Sequence, residues 1–458
     1  MVEEVNEKEE AQFDEDFLKT LLEAEDIENF RDEFLALHPY DQSQFYEKLE
    51  PDLRQNIYKY LSPKEMSFIF EALDVDDDNY EPYLMEMDVT YGAAMLTHMS
   101  VDDIVEIVND LEPEKRAKYL SLMDAETMED IREILAHKEY TAGAIMTTEY
   151  VAIPENSTVR SAMTILKKEA STAETIYYIF VIDEAHRLTG VITLRDLILA
   201  DEDALIQTIM NERVVMVHVG DDQEAVAQIM KDYDFLAIPV IDDFGQLVGI
   251  ITVDDIIDVI EEEASDDYSK LAGLSDGDMF NQNPFQAAKK RLPWLVILLF
   301  LGLLTANIMG LFEETLDKVA LLATFIPLIS GTSGNSGTQA LAVAIRGIAT
   351  GDAVDSNKFK LLWREIGTAL ITGITCAVIV TGIVYFWKGE LNLGMLVGTS
   401  LGGSILVATL AGSFIPLLMH KFGVDPAVAS GPFITTLNDV TSILIYLGLA
   451  TMFLSQIG

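Results

Sequence analysis

Residues 427–455 read AVASGPFITTLNDVTSILIYLGLATMFLS and contain one charged side chain, that of Asp439. A helix needs roughly 20 apolar residues to cross the hydrocarbon core of a membrane, so this stretch predicts a transmembrane helix. Four further apolar segments precede it, at approximately 293–312, 319–345, 365–387 and 392–419. The sequence therefore predicts a transmembrane domain of five α-helices within residues 289–458.

Asp439 is flanked by apolar residues on both sides, which places a carboxylate at membrane depth. Such a group costs about 2.5–3.5 kcal/mol on insertion scales and usually has a function. A salt bridge is the alternative, but no predicted membrane segment offers Lys or Arg at comparable depth. Pro432 also leaves a backbone carbonyl free one turn earlier, and carboxylate and carbonyl oxygens suit Mg²⁺ or Ca²⁺ better than softer metals. We expect Asp439 to bind a divalent cation, and two copies on a shared axis would hold it well.

The second membrane segment contains ISGTSGNSGTQ at residues 329–339. So many small and hydroxyl residues at membrane depth must be buried in protein or must line a water-filled cavity. Close helix packing through small residues is one interpretation. The amides of Asn335 and Gln339 favour the other, in which this segment forms a wall of the cation pathway.

Basic residues near the predicted spans lie mainly on one side of the membrane. They are Lys289, Lys290, Arg291, Arg346, Lys358, Lys360, Arg364 and Lys421. The loops on the other side carry only Lys318 and Lys388, among several acidic residues. Because basic loops stay in the cytoplasm, we expect a multi-pass protein of the plasma (inner) membrane with a cytoplasmic N-terminus and an outside C-terminus.

The formal net charge of −46 is concentrated before residue 289, whereas acidic and basic residues nearly balance after it. An anionic surface repels nucleic acid and anionic lipid headgroups, and it attracts cations. General solvation accounts for many of these carboxylates. The single cysteine, Cys376, excludes an intrachain disulfide. Cations are therefore the expected partners of this half and nucleic acid is not, while membrane lipid is the expected partner of the predicted spans.

Residues 1–140 carry apolar residues at spacings of three and four, which predicts an all-α domain. LEP at 49–51, followed by Arg54, recurs as LEP at 111–113, followed by Arg116. Stacked helical hairpins would explain such a repeat. We therefore expect a superhelical cytoplasmic domain whose surface serves interaction or regulation.

A second duplication lies in residues 141–262. YIFVID at 178–183 and GVITLRD at 190–196 recur as AIPVID and GIITVDD, each 59 residues later. The repeat divides the region at about 202/203, and each unit predicts a strand, a turn, a strand and a helix.

This duplicated pattern resembles a tandem pair of CBS domains, with units of about 141–202 and 203–262. CBS pairs are α/β regulatory modules that often bind adenine nucleotides. The resemblance implies that Arg195 and Asp196 contact the ribose and phosphates of a nucleotide such as ATP. A purely structural pair without nucleotide is the alternative.

Residues 254–267 read DDIIDVIEEEASDD, with eight carboxylates and no basic residue. Four acids recur at spacings of three or four and so share one face of a predicted helix, namely Asp255, Asp258, Glu262 and Asp266. Like charges ~7 Å apart repel by about 2 kcal/mol per pair at an effective dielectric constant near 20. Bound Mg²⁺ would offset that repulsion. Residues 254–285 are therefore predicted to form an acidic connecting helix and a linker.

The order of segments is a helical domain, a CBS pair, an acidic connecting helix and five membrane helices. The membrane part contains GNSGTQ at 334–339 and GPFITTLND at 431–439. Over essentially the whole chain this arrangement resembles the MgtE family of magnesium channels. The resemblance implies a homodimer with a pore on its axis, a connecting helix that plugs the gate, and inward Mg²⁺ flow driven by the membrane potential.

The resemblance also implies the metal ligands. Asp439 matches the pore aspartate of the family, the carbonyl of Thr435 is a companion ligand, and Asn335 lines the wall. The matching regulatory acids are Asp255, Asp258, Glu263, Asp266, Asp267, Glu224, Asp234 and Asp425, with Asp102 and Glu106 as candidates in the helical domain. Cytosolic Mg²⁺ would bridge these acids and close the pore, and ATP would tune the gate.

Two other functions stay open. One is transport of another divalent cation such as Co²⁺, since oxygen ligands do not separate it from Mg²⁺. The other is a non-conducting, CBS-containing membrane sensor of Mg²⁺ or nucleotide. Asp439 and the segment around Asn335 argue against the sensor, because a membrane anchor needs neither. No nucleophile–base pair or phosphate-binding loop stands out, so an enzyme is not expected.

Overall fold

The computed structural model describes residues 14–73, 80–274, 284–350, 358–426 and 431–453. The chain divides into two compact units, Met1–Glu261 and Glu262–Gly458. A helical domain and two small α/β units make up the first. Long helices make up the second.

Short helices build the N-terminal domain. They are α1 (Glu15–Glu23), α2 (Ile27–Phe34), α3 (Pro39–Glu47), α4 (Pro51–Tyr60), α5 (Pro63–Glu71), α6 (Glu81–Glu86), α7 (Val89–Leu96), α8 (Val101–Asp110), α9 (Pro113–Leu120) and α10 (Ala125–Leu135). Proline opens α4, α5 and α9, because its fixed φ and missing N–H fit the first turn of a helix. Ser62 and Glu65 add a capping box to α5. The α4–α5 pair recurs as α9–α10, which matches the predicted repeat.

A buried ion pair braces this helical domain. The Arg54 side chain is 10% exposed and pairs with Glu86 at 2.6 Å. Its guanidinium also lies over the ring of Tyr83, 5.0 Å from the centroid. Around this pair the helices share one core that includes the fully buried Phe30 and Tyr46. The domain is therefore a packed scaffold that can hold side chains on α5 and α8 in fixed positions.

Two similar α/β units follow. The first contains β1 (Ala152–Pro154), α11 (Val159–Glu169), β2 (Tyr178–Ile182), β3 (Leu188–Thr193) and α12 (Leu194–Leu199). The second contains β4 (Val217–His218), α13 (Gln223–Tyr233), β5 (Ala237–Ile241), β6 (Leu247–Thr252) and α14 (Val253–Leu271). In each three-stranded sheet the first strand is parallel to the second, and the third is antiparallel to the second.

The two α/β units exchange their opening segments. Thr147, before β1, forms a bridge to Ile250 in β6, the last strand of the other unit. Gly249 makes room for this crossing, because a Cβ there would lie 2.7 Å from the sulfur of Met146. Asn211 makes the reciprocal bridge to β3. The units therefore form one interlocked module, with α14 leaving directly from the end of β6.

The second unit consists mainly of long helices. They are α15 (Pro284–Gly310), α16 (Glu313–Lys318), α17 (Ile326–Ala349), α18 (Lys358–Lys388), α19 (Leu391–Lys421) and α20 (Gly431–Met452), with a 3₁₀ helix at Ala320–Phe325 before α17. Among the described residues, four helices are long and apolar enough to cross a membrane: Ala287–Gly310, Lys360–Lys388, Leu391–Lys421 and Gly431–Met452.

The fifth predicted span corresponds to α17. This helix has 24 residues, but the glycines and hydroxyls of 329–339 dilute its apolar character. The span predicted at 319–345 is displaced in the structure, because the chain up to Phe325 forms the 3₁₀ helix instead. The predicted fold class is confirmed: a helical domain, a CBS-like pair, a connecting helix and an α-helical membrane domain.

Small residues allow the membrane helices to pack closely. A Cβ on Gly412 of α19 would lie 2.2 Å from the carbonyl oxygen of Gly337 of α17. A Cβ on Gly398 would lie 2.5 Å from the carbonyl oxygen of Ala377 of α18. Without a hydrophobic force between helices in lipid, close backbone approach is a main source of association. α19 is accordingly the central helix, in contact with α17, α18 and α20.

Candidate cation sites

Asp439 lies midway along α20 and is half-buried. Its Oδ1 accepts a hydrogen bond from the Ser330 hydroxyl of α17 at 2.5 Å. This bond orients the carboxylate, which sequence reasoning located without its partner. Thr435 lies one turn earlier on the same helix and shares a hydroxyl contact of 3.2 Å with Thr338.

Hydroxyl groups join α17 and α20 at several points. Ser333 and Ser442 lie 2.6 Å apart in the buried interior, in addition to the Ser330–Asp439 bond and the Thr338–Thr435 contact. Ser333, Gly334 and Gly337 are buried on this face of α17. Close packing, one of the two interpretations of 329–339, therefore applies to this face.

Asn335 and Gln339 lie on the other face of α17 and are exposed. At about 100° per residue, Asn335 points roughly 140° away from Ser330, which holds Asp439. A single chain therefore does not bring Asn335 to the aspartate. Its role in a pathway wall stays a prediction that needs a second chain.

Pro432 is the second residue of α20. The carbonyl expected to be freed by this proline is one turn earlier, in 427–430, which lie outside the described residues. At the start of a helix the missing N–H of proline removes no intrahelical bond. The freed carbonyl expected from Pro432 therefore stays a prediction.

Asn438 was missed by the sequence analysis. Its side chain is completely buried, and within the described part of the chain neither amide atom has a hydrogen-bond partner. A Cβ on Gly337 would lie 2.0 Å from its Nδ2, so the amide fills the space that the glycine leaves. A buried polar group without a partner costs about 1–3 kcal/mol. Its position within an apolar membrane segment was the sequence signal that could have identified it.

A second group of carboxylates lies in the first unit. Asp102 and Asp103 are in the first turn of α8, where Ser100 donates to Asp103 at 2.6 Å. Asp255 is in the first turn of α14, where Thr252 Oγ1 donates to its Oδ2 at 2.5 Å. Helix N-termini favour negative charge, yet Asp102 Oδ1 is buried without a hydrogen-bond partner among the described residues.

Burial and neighbouring negative charges raise the pKa values of these acids. Burial raises the pKa of Asp102 well above its usual range, and the charge of Asp255 adds to the effect. Burial likewise raises the pKa of Asp255 to about 6, with further contributions from Asp254 and Asp103. When ionised, these groups repel one another, so a bound cation would stabilise their ionised form.

Three glutamates join this cluster and were not predicted. Partial burial, then Asp103 and Glu174, raises the pKa of Glu71 to about 7. Burial is also the largest cause that raises the pKa of Glu149 to about 7, and the charge of Glu174 is the next largest. Glu71 and Glu174 keep contact with solvent, so ions can reach the cluster. These residues come from the helical domain and the first α/β unit, and only folding brings them near Asp255.

Other predicted regulatory acids lie outside this cluster. Glu224 is in the first turn of α13, and Asp234 is its left-handed C-cap residue, so one helix length separates them. Both are exposed, as is Glu106 on α8. Asp258 is exposed on α14, one turn beyond Asp255, and its charge raises the pKa of Asp103. One chain therefore gathers only some of the predicted ligands.

The end of α14 carries a third group of acids, in the second unit. Lys270 Nζ lies 2.6 Å from Asp425 Oδ2, in the turn after α19, and forms a closer contact with Asp266. Burial, followed by the charge of Asp425, raises the pKa of Asp267 to about 6. Glu263 contributes to the same shift. Lys270 was missed because it lies just beyond the acidic run.

The predicted nucleotide residues occupy a helix start. Thr193 caps α12, its hydroxyl donating to Asp196 Oδ2 at 2.6 Å and accepting from Asp196 N–H at 3.1 Å. Asp196 thus has a local structural role. Arg195 is exposed beside it and is open to a ligand.

A divalent cation fits the acidic clusters by charge and by ligand chemistry. Carboxylate oxygens are hard ligands of the kind that Mg²⁺ prefers. Within the described residues, no three acidic, His or Cys side chains already converge at metal-ligand spacing. The candidate ligands stay Asp102, Asp103 and Asp255 in the first unit, and Asp266, Asp267 and Asp425 in the second, and each set would have to move closer together to bind one ion.

Comparison with known families covers most of the chain. Residues 37–140 match the MgtE intracellular N domain, and 142–203 and 206–262 match CBS domains. Residues 326–449 match MgtE, described as a divalent cation transporter.

Individual proteins give the same result. The magnesium transporter MgtE of Enterococcus faecalis is 51% identical over 433 residues, which cover 94% of this chain and 95% of that one. The crystal structure of the soluble part of a magnesium transporter superposes with a TM-score of 0.53 at 52% identity, covering 55% of this chain and 98% of that one. The cytosolic domain of the Mg²⁺ channel MgtE in complex with ATP gives 0.51 at 35% identity, covering 54% and 99%.

A membrane-embedded protein with a helical N domain and a CBS pair is the class that this fold and these sites define. Its membrane helices carry the divalent cation transporter match. The chain belongs to the MgtE family.

The raised pKa of Asp255 predicts a pH dependence of stability in the absence of divalent ions. Its folded-state value of about 6 exceeds the usual 3.9 or so of an unfolded Asp. The folded state therefore binds more protons between these values, and the free energy of unfolding falls as pH rises through that window. Asp255→Asn, which keeps an acceptor for Thr252, should reduce this loss by about 1–2 kcal/mol.

Denaturant unfolding of the soluble residues in EDTA at pH 5 and pH 7.5 measures the effect. The exposed neighbour Asp254 supplies the control, since Asp254→Asn should change the pH dependence less. If the wild type and Asp255→Asn lost the same free energy of unfolding between pH 5 and pH 7.5, the pKa of Asp255 would not be raised in the folded state.

Proposed function

We propose that this protein is a Mg²⁺-selective channel that imports magnesium across the plasma membrane. The observation that carries the proposal is Asp439, a carboxylate within a membrane helix whose nearest partner is the neutral Ser330. Membership of the MgtE family, and relatives named as magnesium transporters, support Mg²⁺ as the substrate. The channel is a homodimer with a cytoplasmic N-terminus and an outside C-terminus.

The pore residues act through position and charge. Ser330 holds one oxygen of Asp439, so the carboxylate presents a fixed negative charge to a partly hydrated cation. Thr435 lies one helical turn away and contributes its carbonyl. Magnesium keeps several of its waters and binds through one or two carboxylates, which suits one Asp439 from each of two chains. The exposed amide of Asn335 faces the water that accompanies the ion.

Removal of the pore carboxylate tests the channel. Asp439→Ala should abolish growth rescue of a magnesium-auxotrophic strain and should reduce Mg²⁺ uptake by more than about tenfold, since a charge contact of more than 1.4 kcal/mol is lost. Asp317→Ala, an exposed acid of the same half, is the matched control and should rescue normally.

Competing functions give different results in the same assay. Equal rescue by the wild type and by Asp439→Ala would contradict the pore assignment. Uptake of Co²⁺ in preference to Mg²⁺ would favour the second candidate, a transporter of another divalent cation. A wild-type protein that binds Mg²⁺ but passes no current would be a sensor.

Cytosolic Mg²⁺ closes the channel by negative feedback in the proposed mechanism. Without a cation, repulsion acts within each of two groups of carboxylates. One group surrounds Asp102 and Asp255, and the other surrounds Asp267 and Asp425. Mg²⁺ binds where it can bridge them, and this favours the conformation in which they are close. A ligand shifts an equilibrium only by its difference in affinity for the two states, so the closed state must bind Mg²⁺ more tightly. Exposed acids such as Glu224 and Asp234 serve between chains.

Charge neutralisation on α14 tests the feedback. A variant with Asn or Gln in place of Asp255, Asp258, Glu263, Asp266 and Asp267 should need at least about tenfold more Mg²⁺ for half-maximal block, which corresponds to a coupling of 1.4 kcal/mol or more. The control neutralises five exposed acids of the helical domain, namely Glu23, Glu25, Glu28, Asp32 and Glu33. Unchanged block in the α14 variant in patch recordings would refute the feedback.

ATP is proposed as an additional ligand of the CBS pair, on the basis of the ATP complex of the related cytosolic domain. Arg195 is the residue placed to contact phosphate. Calorimetry of the soluble part should detect ATP binding that Arg195→Ala weakens by about tenfold, as expected for a charged hydrogen bond of 1.5–3 kcal/mol. An absence of heat with the wild type would leave the pair a structural module.

A further inference from the structure

Lys270 is the last charged residue of α14, and its ammonium joins two carboxylates. Asp266 lies one turn earlier on the same helix. Asp425 lies in the turn that follows α19, 2.6 Å from Lys270 Nζ. A lysine thus stands where the proposed function places a divalent cation.

Packing holds this lysine in place. The next residue, Leu271, contacts the apolar cluster formed by Leu341, Ile345 and Ile434. A Cβ on Gly431 would lie 3.2 Å from the Leu271 carbonyl oxygen, so the chain here is close to the start of α20. The Lys270 side chain is only 31% exposed. Because much of the side-chain entropy is already lost to packing, the ammonium is a better competitor for the acids than a free surface lysine.

One ammonium does not neutralise its surroundings. Glu263, Asp266, Asp267 and Asp425 interact in this region, and burial and the charge of Asp425 destabilise the ionised form of Asp267 while Lys270 stabilises it. The cluster therefore stays anionic with the lysine in place, and it still attracts a divalent ion.

We propose that Lys270 is a tethered cation that competes with Mg²⁺ for Asp266 and Asp425, and so sets the Mg²⁺ concentration at which the channel closes. The proposal rests on the proposed function of this protein and specifies how its feedback is tuned. Mg²⁺ requires near-octahedral oxygen ligands at 2.0–2.1 Å or so, and an ammonium hydrogen-bonded to the same oxygens excludes it. Mg²⁺ must displace the lysine first, which lowers its apparent affinity.

Removal of the ammonium is the direct test. Lys270→Met keeps the length and apolar stem of the side chain, and it should lower the half-blocking Mg²⁺ concentration about three- to tenfold, as expected for two partly exposed ion pairs. Lys270→Arg retains the charge and should stay near the wild-type value. Lys421→Met removes an exposed basic residue at the end of α19 and controls for the general loss of positive charge.

A double-mutant cycle separates competition from other effects. In an Asp425→Asn background the lysine has lost one of its two acids, so Lys270→Met should then shift the block by less than it does in the wild type. If Lys270 instead latched the closed state, Lys270→Met would raise the half-blocking concentration. A raised or unchanged concentration overturns the proposal.

Restoring the positive charge at position 270 after the protein has folded controls for misfolding of the variant. Lys270→Cys, made together with Cys376→Ala, can be labelled in the assembled protein. An aminoethyl label returns an ammonium and should raise the half-blocking concentration, whereas a neutral methyl label should not. Equal effects of the two labels overturn the proposal. Wild-type current that Mg²⁺ fails to block would instead refute the feedback itself.

Discussion

Asp102, Asp103 and Asp255 are largely buried near one another, and their repulsion is the interaction on which the proposed regulation depends. Hydrogen bonds from Ser100 and Thr252 stabilise part of this charge, but burial raises the pKa values of the acids all the same. In the proposed feedback, a bound cation would offset this repulsion, and the protein would thereby respond to the ion.

The connecting helix α14 carries candidate cation ligands near both of its ends. Asp255 is in its first turn and Lys270 is in its last. The start of the helix is fixed by β6, whose neighbours include the opening segment of the other α/β unit. The end is fixed by Leu271 and by the bridge to Asp425. Acids of both groups thus lie on one continuous helix of 19 residues.

In the membrane domain, polar groups must find hydrogen-bond partners within the protein, because the hydrocarbon core contains no water. α17 and α20 pair their hydroxyls with each other, and glycines at the contact allow the backbones to approach. Asp439 obtains its hydrogen bond from this seam rather than from a basic residue. In the proposed channel, its charge therefore stays available to a passing cation. Asn438, buried with unpaired amide atoms, is the one strained member of the described seam.

Local patterns in the chain determined the class of protein, the membrane helices, the two duplications and the aspartate at membrane depth. Each of these depends on neighbouring residues, through hydrophobic length, helical spacing or a repeated motif. Glu71, Glu149 and Glu174, by contrast, became part of the Asp255 cluster only on folding, because they lie in different elements far apart in the chain. Likewise, Ser330 contacts Asp439 and Lys270 contacts Asp425, and in each pair more than a hundred residues of chain separate the partners. Composition can state how much charge a chain carries, but only tertiary structure decides which charges share a site, because electrostatic energy depends on distance and burial.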